Sequence, residues 1–285
     1  MARESSPQPV NLVVQGPGLT GAQAENLAPL CGASPPETIA PSAFRLRGAK
    51  RKEPVAAWCE QHGADWAWMP DGRRLADLRL LAMDMDSTLI QIECIDELGA
   101  LAGRGAEIAA ITASAMRGDI DYPESLRRRV GLLRGLEASA LQRVYDEKLR
   151  LSPGAEALIG RCRRDGVRLL LVSGGFSFFA DRLKDRLGLD FTIANVLEIG
   201  HERLTGRLNG PLVDGAAKKG CFLKTLKELK ATREQSVAIG DGANDLPMMA
   251  EAGYSIAYRA KPAVQAKAHC AINRCGLDAV ANLFE

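Results

Sequence analysis

Three widely spaced apolar runs, each ending in a short polar or glycine-rich stretch, constrain this chain more than any other feature. Leu78, Leu80, Leu81, Ala82 and Met83 lead into Asp84-Met85-Asp86-Ser87-Thr88. Val167 to Val172 leads into Ser173-Gly174-Gly175, and Ser236 to Ile239 into Gly240-Asp241-Gly242-Ala243-Asn244-Asp245. Strands that read as unbroken apolar runs, without polar alternation, are buried on both faces, and such strands belong to parallel sheets covered by helices. Helical patterns separate the runs, as parallel crossover connections require. The expected fold is α/β, a doubly wound Rossmann-like parallel sheet that gathers its ligands at the C-terminal ends of the strands.

The segments around these strands suggest two additions. Residues 1–76 read as a small α+β N-terminal domain: Asn11 to Val14 a strand, Gly21 to Leu30 a helix, Ala43 to Arg47 a strand, Val55 to His62 a helix and Asp65 to Met69 a strand. It holds no clustered acids or phosphate loop, its Trp58, Trp66 and Trp68 read as core, and Pro70 to Arg74 reads as the linker. Its role is not indicated. Residues 77–285 form the second domain, with a helical cap inserted at about 91–150, where Ile95, Leu98 and Leu101, then Ile108 and Ile111, then Leu126, Val130 and Leu133 recur at helical spacing. A helical insertion of this size has the form of a lid. Ser152 and Pro153 read as the cap and first residue of the next helix, Phe191 to Leu208 as strands turning near Thr205 and Gly206, and Lys218 and Lys219 as opening a helix with the apolar face Phe222, Leu223, Leu226 and Leu229. A strand near Tyr254 to Tyr258 and a helix near Val264 to Ala268 close the pattern.

Charge and composition remove several function classes. A formal net charge of +2 and an aromatic content of 5% give neither a basic stripe for nucleic acid nor a patch for an anionic membrane. The polar N-terminus lacks the apolar stretch of a signal peptide, and no apolar run is long enough to span a bilayer. The seven cysteines contain no CxxC pair and read as free thiols, so a cytoplasmic location is expected.

Two carboxylates one residue apart at the end of a strand repel each other unless a proton or cation compensates them. A hard divalent cation such as Mg²⁺ does so, typically held by one or two carboxylates and substrate phosphate. Singly, each element has an ordinary reading: Asp84, Asp86 and Asp245 as helix-start acids, Ser173-Gly174-Gly175 as a turn, Lys218 as a solvated lysine. Because three strand ends of one parallel sheet lie along one edge, the loops can meet. Carboxylates, a hydroxyl, free backbone N–H groups and a lysine together describe a metal-assisted phosphate site.

DMDST at Asp84 to Thr88, SGG at Ser173 to Gly175, Lys218, and GDGAND at Gly240 to Asp245 resemble the four motifs of the haloacid dehalogenase superfamily. Glu93, and Tyr122 and Arg129 within YPESLRRRV, resemble the serine-recognition residues of its phosphoserine phosphatase branch. The resemblance runs from about Leu78 to Leu283 and leaves the first 76 residues outside. It implies that Asp84 is the nucleophile and Asp86 the general acid and base. It implies Mg²⁺ held by the Asp84 carboxylate, the Asp86 backbone carbonyl and Asp241, with Asp245 supporting. Ser173, the Gly174 N–H and Lys218 would bind phosphate; Glu93 and Arg129 would bind the ammonium and carboxylate of the substrate, with Asn244 orienting neighbouring groups and Tyr122 supporting. The implied activity is hydrolysis of O-phospho-L-serine as the last step of L-serine biosynthesis. Phosphothreonine or phosphohomoserine as substrate, a receiver-like phosphoacceptor role, and a homodimer stay open at this point.

Overall fold

The computed structural model describes residues 10–285, so the first nine residues of the expected N-terminal domain lie outside the described residues. In the N-terminal part, β1 (Val10–Gln15), α1 (Gly21–Cys31), β2 (Glu37–Ala40), β3 (Ala43–Leu46), α2 (Glu53–Gln61) and β4 (Asp65–Pro70) follow in order. The strands are antiparallel and lie in the order β2-β3-β1-β4. Leu12, Val14, Phe44 and Leu46 pack beneath the two helices with Trp58, while Trp66 and Trp68 border that cluster.

A second series begins with β5 (Leu80–Met83), the first of the three apolar runs. Five α-helices separate it from the next strand: α3 (Cys94–Leu101), α4 (Gly105–Arg117), α5 (Tyr122–Leu132), α6 (Ser139–Glu147) and α7 (Ala155–Arg164). Then come β6 (Arg168–Phe176), α8 (Ser177–Leu187), β7 (Phe191–Gly200), β8 (Arg203–Asn209), α9 (Gly215–Glu228) and β9 (Ser236–Gly240). The series ends with α10 (Leu246–Met249), β10 (Tyr254–Tyr258), α11 (Pro262–Gln265) and β11 (Cys270–Ile272). Strands β11-β10-β9-β5-β6-β7 run parallel, with β8 antiparallel at the edge.

The unbroken apolar runs follow from burial on both sides of this sheet. Leu81, Met83, Leu169, Leu171, Val237 and Ile239 face a core that includes Leu158, Phe179 and Leu183. The alternating Leu80, Ala82, Leu170, Val172 and Ala238 face Phe222 and Leu226 of α9 and Met248 and Met249 of α10. Each fully buried leucine here contributes about 1.5–3 kcal/mol. Among the described residues no helix is long and apolar enough to cross a membrane.

The two strand systems form one sheet. β4 pairs with β11 at Trp66 and Ala271, and Val13, Ala67 and Met69 of the N-terminal strands pack with Leu277, Val280 and Leu283 of a 3₁₀ segment. Buried polar groups reinforce the joint. Arg45 donates to the carbonyls of Asn282 (3.2 Å) and Phe284 (3.0 Å), and Gln15 donates to the Ala279 carbonyl at 3.1 Å. The Asp65 carboxylate accepts from the N–H groups of Asn273 (2.9 Å), Arg274 (3.0 Å) and Cys275 (2.9 Å).

Several local expectations are corrected. The β7–β8 hairpin turns at His201 and Glu202, both in the left-handed region (φ 49° and 59°), and not at Thr205-Gly206. A two-residue hairpin turn of this kind ordinarily takes Asn or Gly, so His-Glu carries no turn signal. Helix α7 starts at Ala155 instead of Pro153, because Gly154 makes a left-handed turn (φ 76°) against Asp278 that no side chain could fit. Leu223 is 40% exposed, and the buried face of α9 carries Lys218, Phe222, Thr225 and Leu226. Strands β2 and β11 were not expected; at four and three residues they are too short to show a period.

Candidate active site

Strand β5 lies between β9 and β6, with Met83 paired to Ile239 on one side and Leu171 on the other. The residues that follow all three strands therefore leave the sheet at one edge. Asp84 leaves in an extended conformation, its Oδ1 accepting from the Met85 N–H at 2.7 Å. A wide turn follows, with Leu89 N–H donating to the Asp84 carbonyl (3.3 Å), Ile90 N–H to that of Met85 (3.0 Å), and Ser87 left-handed at φ 55°. This turn sets Asp86 facing the start of α3, where its Oδ1 accepts from the Cys94 N–H at 3.0 Å.

Asp84, Asp241 and Asp245 each place a carboxylate oxygen within 4.8 Å of the others. Lys218, wholly buried on α9, puts its Nζ 2.7 Å from Asp84 Oδ2 and 2.7 Å from Asp245 Oδ1. Thr88 Oγ1 donates to Asp241 Oδ1 at 3.0 Å, and Gly242 N–H to Asp245 Oδ2 at 3.0 Å. One ammonium thus pairs with two carboxylates, while two more, Asp241 and Asp86, lie near enough to feel its charge. Burial drives Lys218 toward neutrality, but the Asp245 and Asp84 carboxylates outweigh it and hold the lysine charged. Burial and the neighbouring Asp245 charge push Asp84 well above the carboxylate range despite Lys218. The two directions agree: the lysine has more negative charge around it than it can neutralise. Burial likewise pushes Asp86 up to about 6, and burial with Asp245 pushes Asp241 up to about 7.

An all-oxygen, buried and under-neutralised donor set suits a hard divalent cation. Asp245 lies in one group with the Asp84 and Asp241 carboxylates, and the Asp86 carboxylate is turned toward α3.

The Ser173-Gly174-Gly175 stretch does not end its strand but forms an irregularity inside β6, whose pairing with β7 slips between Val172 and Phe176. Ser173 is buried and its Oγ accepts from the Gly175 N–H at 2.8 Å. Both glycines are needed sterically: a Cβ at Gly174 would strike the Tyr122 hydroxyl, and one at Gly175 the Asp86 carboxylate. The Gly174 carbonyl accepts from Tyr122 OH at 3.1 Å and from Asn195 Nδ2 at 2.8 Å. Asn195 in turn accepts from the Val213 N–H at 2.8 Å, tying this stretch to the segment that leads into α9 and Lys218.

The helices inserted after β5 face this edge. Glu93 Oε1 accepts from Ser87 Oγ at 2.7 Å, and burial plus the Asp86 charge pushes Glu93 up to about 7. Of the three successive arginines on α5, Arg127 and Arg128 are exposed, and Arg128 pairs with Glu124. Arg129 is 9% exposed and donates through Nε only to the Ser125 carbonyl, at 3.4 Å, with no ion pair among the described residues. Asn244 is half-buried and sits against Gly242, where a Cβ would strike its Oδ1. Asp84, Asp86, Glu93, Tyr122, Arg129, Lys218, Asp241, Asn244 and Asp245 lie in the loops and helices that surround this edge, and Ser173 and Gly174 in the last residues of β6. Sequence reasoning passed over Thr88, Cys94 and Asn195 as positioning groups; Asn195 sits in a strand with no motif around it.

Comparison with known proteins agrees with this geometry. A model of the haloacid dehalogenase-like hydrolase family matches residues 81–250. A phosphoserine phosphatase of a Polaromonas species is 53% identical over 217 residues, covering 74% of this chain and 92% of that protein. A crystal structure of a probable phosphoserine phosphatase from Vibrio cholerae superimposes with a TM-score of 0.84 at 35% identity, over 98% of this chain and 86% of that one. A substrate-bound phosphoserine phosphatase complex gives a TM-score of 0.69 at 35% identity, over 73% of this chain and 99% of that one. The motifs, the strand ends that carry them and these matches place the chain in the haloacid dehalogenase-like hydrolases, in their phosphoserine phosphatase branch.

Proposed function

We propose that this chain hydrolyses O-phospho-L-serine to L-serine and inorganic phosphate with Mg²⁺, by phosphoryl transfer to Asp84, as the last step of L-serine biosynthesis. The observation that carries the reading is the pairing of two half-sites at one edge. The carboxylates with Lys218 fit a metal and a phosphoryl group, and facing them Arg129, buried without a carboxylate, and Glu93 fit the carboxylate and ammonium of an amino acid.

In the first half-reaction an Asp84 oxygen attacks phosphorus and the bond to the serine oxygen breaks, leaving an aspartyl-phosphate. Asp86, pushed up to about 6, is partly protonated near neutral pH and gives its proton to the departing serine oxygen. In the second, Asp86 takes a proton from water as that water attacks the aspartyl-phosphate, restoring Asp84 and releasing phosphate. Lys218, Ser173 and the N–H of Gly174 compensate charge on the phosphoryl oxygens. Bound Mg²⁺, held by Asp84, Asp241, the Asp86 carbonyl and Asp245, would supply further positive charge there. Phosphate monoesters hydrolyse so slowly unaided that acceleration up to the order of 10²¹ is demanded, which assigns the largest part to charge stabilisation.

Phosphate release from L-phosphoserine, with Mg²⁺ and then with excess chelator, beside phosphothreonine and other small phosphomonoesters, tests the reading. A Mg²⁺-dependent preference for phosphoserine of well over tenfold, about 1.4 kcal/mol in transition-state binding, is expected. A flat substrate profile would remove the substrate assignment, and multiple turnover of no phosphate ester would remove the reaction.

A further inference from the structure

The face of α5 that looks toward the candidate site holds a polar group with no partner. Ser125 is 1% exposed, yet its Oγ is one of three buried side-chain polar atoms without a hydrogen-bond partner among the described residues. A buried hydroxyl left unsatisfied costs the desolvation of that group, so it calls for an explanation. Ser125 lies three residues after Tyr122 and four before Arg129, so at 3.6 residues per turn the three share one stripe of the helix. Leu126, Val130 and Leu133 occupy the adjoining stripe and enter the hydrophobic core. Ser125 is therefore on the polar side of the buried face. One neighbour on its stripe, Tyr122, touches the Gly174 carbonyl; the other, Arg129, is a buried guanidinium without a carboxylate.

A serine inside a helix commonly bonds its hydroxyl to the carbonyl four residues back, which also takes the backbone N–H; here the Asp121 carbonyl takes the Ser125 N–H but the hydroxyl makes no such bond. A free O–H donor and an unpaired guanidinium on one helix stripe complement a single anionic group with several acceptor lone pairs, and a carboxylate fits both.

We propose that Ser125 is a specificity-determining residue whose Oγ–H donates to the substrate carboxylate beside Arg129, so that the orphaned hydroxyl of the free protein finds its partner only in the complex. The assignment rests on the phosphoserine reading. It predicts an unusual combination for Ser125→Ala. The folded protein without substrate loses an unsatisfied buried group and gains the best helix former, so its melting temperature holds or rises. Binding loses a hydrogen bond to a charged group, so KM for phosphoserine rises about tenfold with kcat nearly unchanged.

The test is steady-state kinetics of the full chain and of Ser125→Ala on L-phosphoserine, with inorganic phosphate as competitive inhibitor and thermal melts of both proteins. Inorganic phosphate lacks the carboxylate, so its inhibition constant stays within twofold of wild type if Ser125 reads the carboxylate. An unchanged KM overturns the proposal, as does an equal weakening of phosphoserine and phosphate. A lowered melting temperature with unchanged KM would show that the hydroxyl serves the fold. Wild-type protein that turns over other phosphate esters but not phosphoserine would instead overturn the substrate reading, and this assignment with it.

Discussion

Replacing Lys218 by Met removes the ammonium that Asp84 and Asp245 share while keeping most of the side-chain volume. The lysine is fully buried and both contacts are 2.7 Å. Removing one partner of a buried ion pair leaves its charge uncompensated and costs about 3–5 kcal/mol. At about 2–4 °C per kcal/mol for a chain of this size, the metal-free variant should melt about 6–20 °C below wild type. The carboxylates are the source of the loss, so adding Asp245→Asn to Lys218→Met should restore part of it, with a coupling energy of about 0.5–3 kcal/mol. Mg²⁺ should also restore part, since in the proposed site it would supply positive charge to the same oxygens. Turnover should fall by at least about 10²–10³-fold even with Mg²⁺, because in the proposed mechanism the ammonium also compensates charge on the phosphoryl group. Calorimetry of the four proteins in chelator, then in Mg²⁺, reads out the stability changes, and phosphate release reads out turnover. A Lys218→Met melting temperature within about 1 °C of wild type in chelator would refute the electrostatic argument. So would a double variant less stable than either single one.

In chelator the protein should lose stability as pH rises from about 4 to 7. Asp86, Glu93 and Asp241 are pushed up to about 6, 7 and 7, so the folded state holds protons that the unfolded chain releases in that window. Stability is full below the unfolded values and is lost through the folded ones; Mg²⁺ should flatten the fall, and a melting temperature that climbs from pH 5 to 7 without metal would contradict it. Gly175→Ala should fold but lose at least about 100-fold in kcat, since its Cβ displaces the Asp86 carboxylate; near-normal kcat in a folded variant would show that Asp86 tolerates the shift. Arg129→Ala should raise KM for phosphoserine far more than the inhibition constant of inorganic phosphate, and equal losses would mean that Arg129 does not read the carboxylate.

The catalytic edge was legible because its strands are buried on both faces. Such strands carry few polar residues and no acids within their runs, so the change from Met83 to Asp84, or from Ile239 and Gly240 to Asp241, stands out. The choice of Arg129 over Arg127 and Arg128 came from resemblance; the structure supplies the physical difference, since only Arg129 turns inward. Contacts that depend on tertiary packing were not legible. Nothing around Asn195 announces that it reaches the Gly174 carbonyl, and nothing around Trp66 announces pairing with Ala271 about two hundred positions later. The His201-Glu202 turn was missed because the paired strands, not the turn residues, impose its left-handed backbone.

The joint between the N-terminal strands and the 3₁₀ segment sets an order in which the protein can be made. Val13, Ala67 and Met69 need Leu277, Val280 and Leu283 to cover them, and Arg45 and Gln15 need the carbonyls of residues 279–284. At about 5–20 residues per second, a ribosome takes about 10–40 s to travel from Met69 to Leu283. For that interval the nascent module carries a bare apolar face and polar groups that only water can satisfy, so it is a stretch for a chaperone to cover during synthesis.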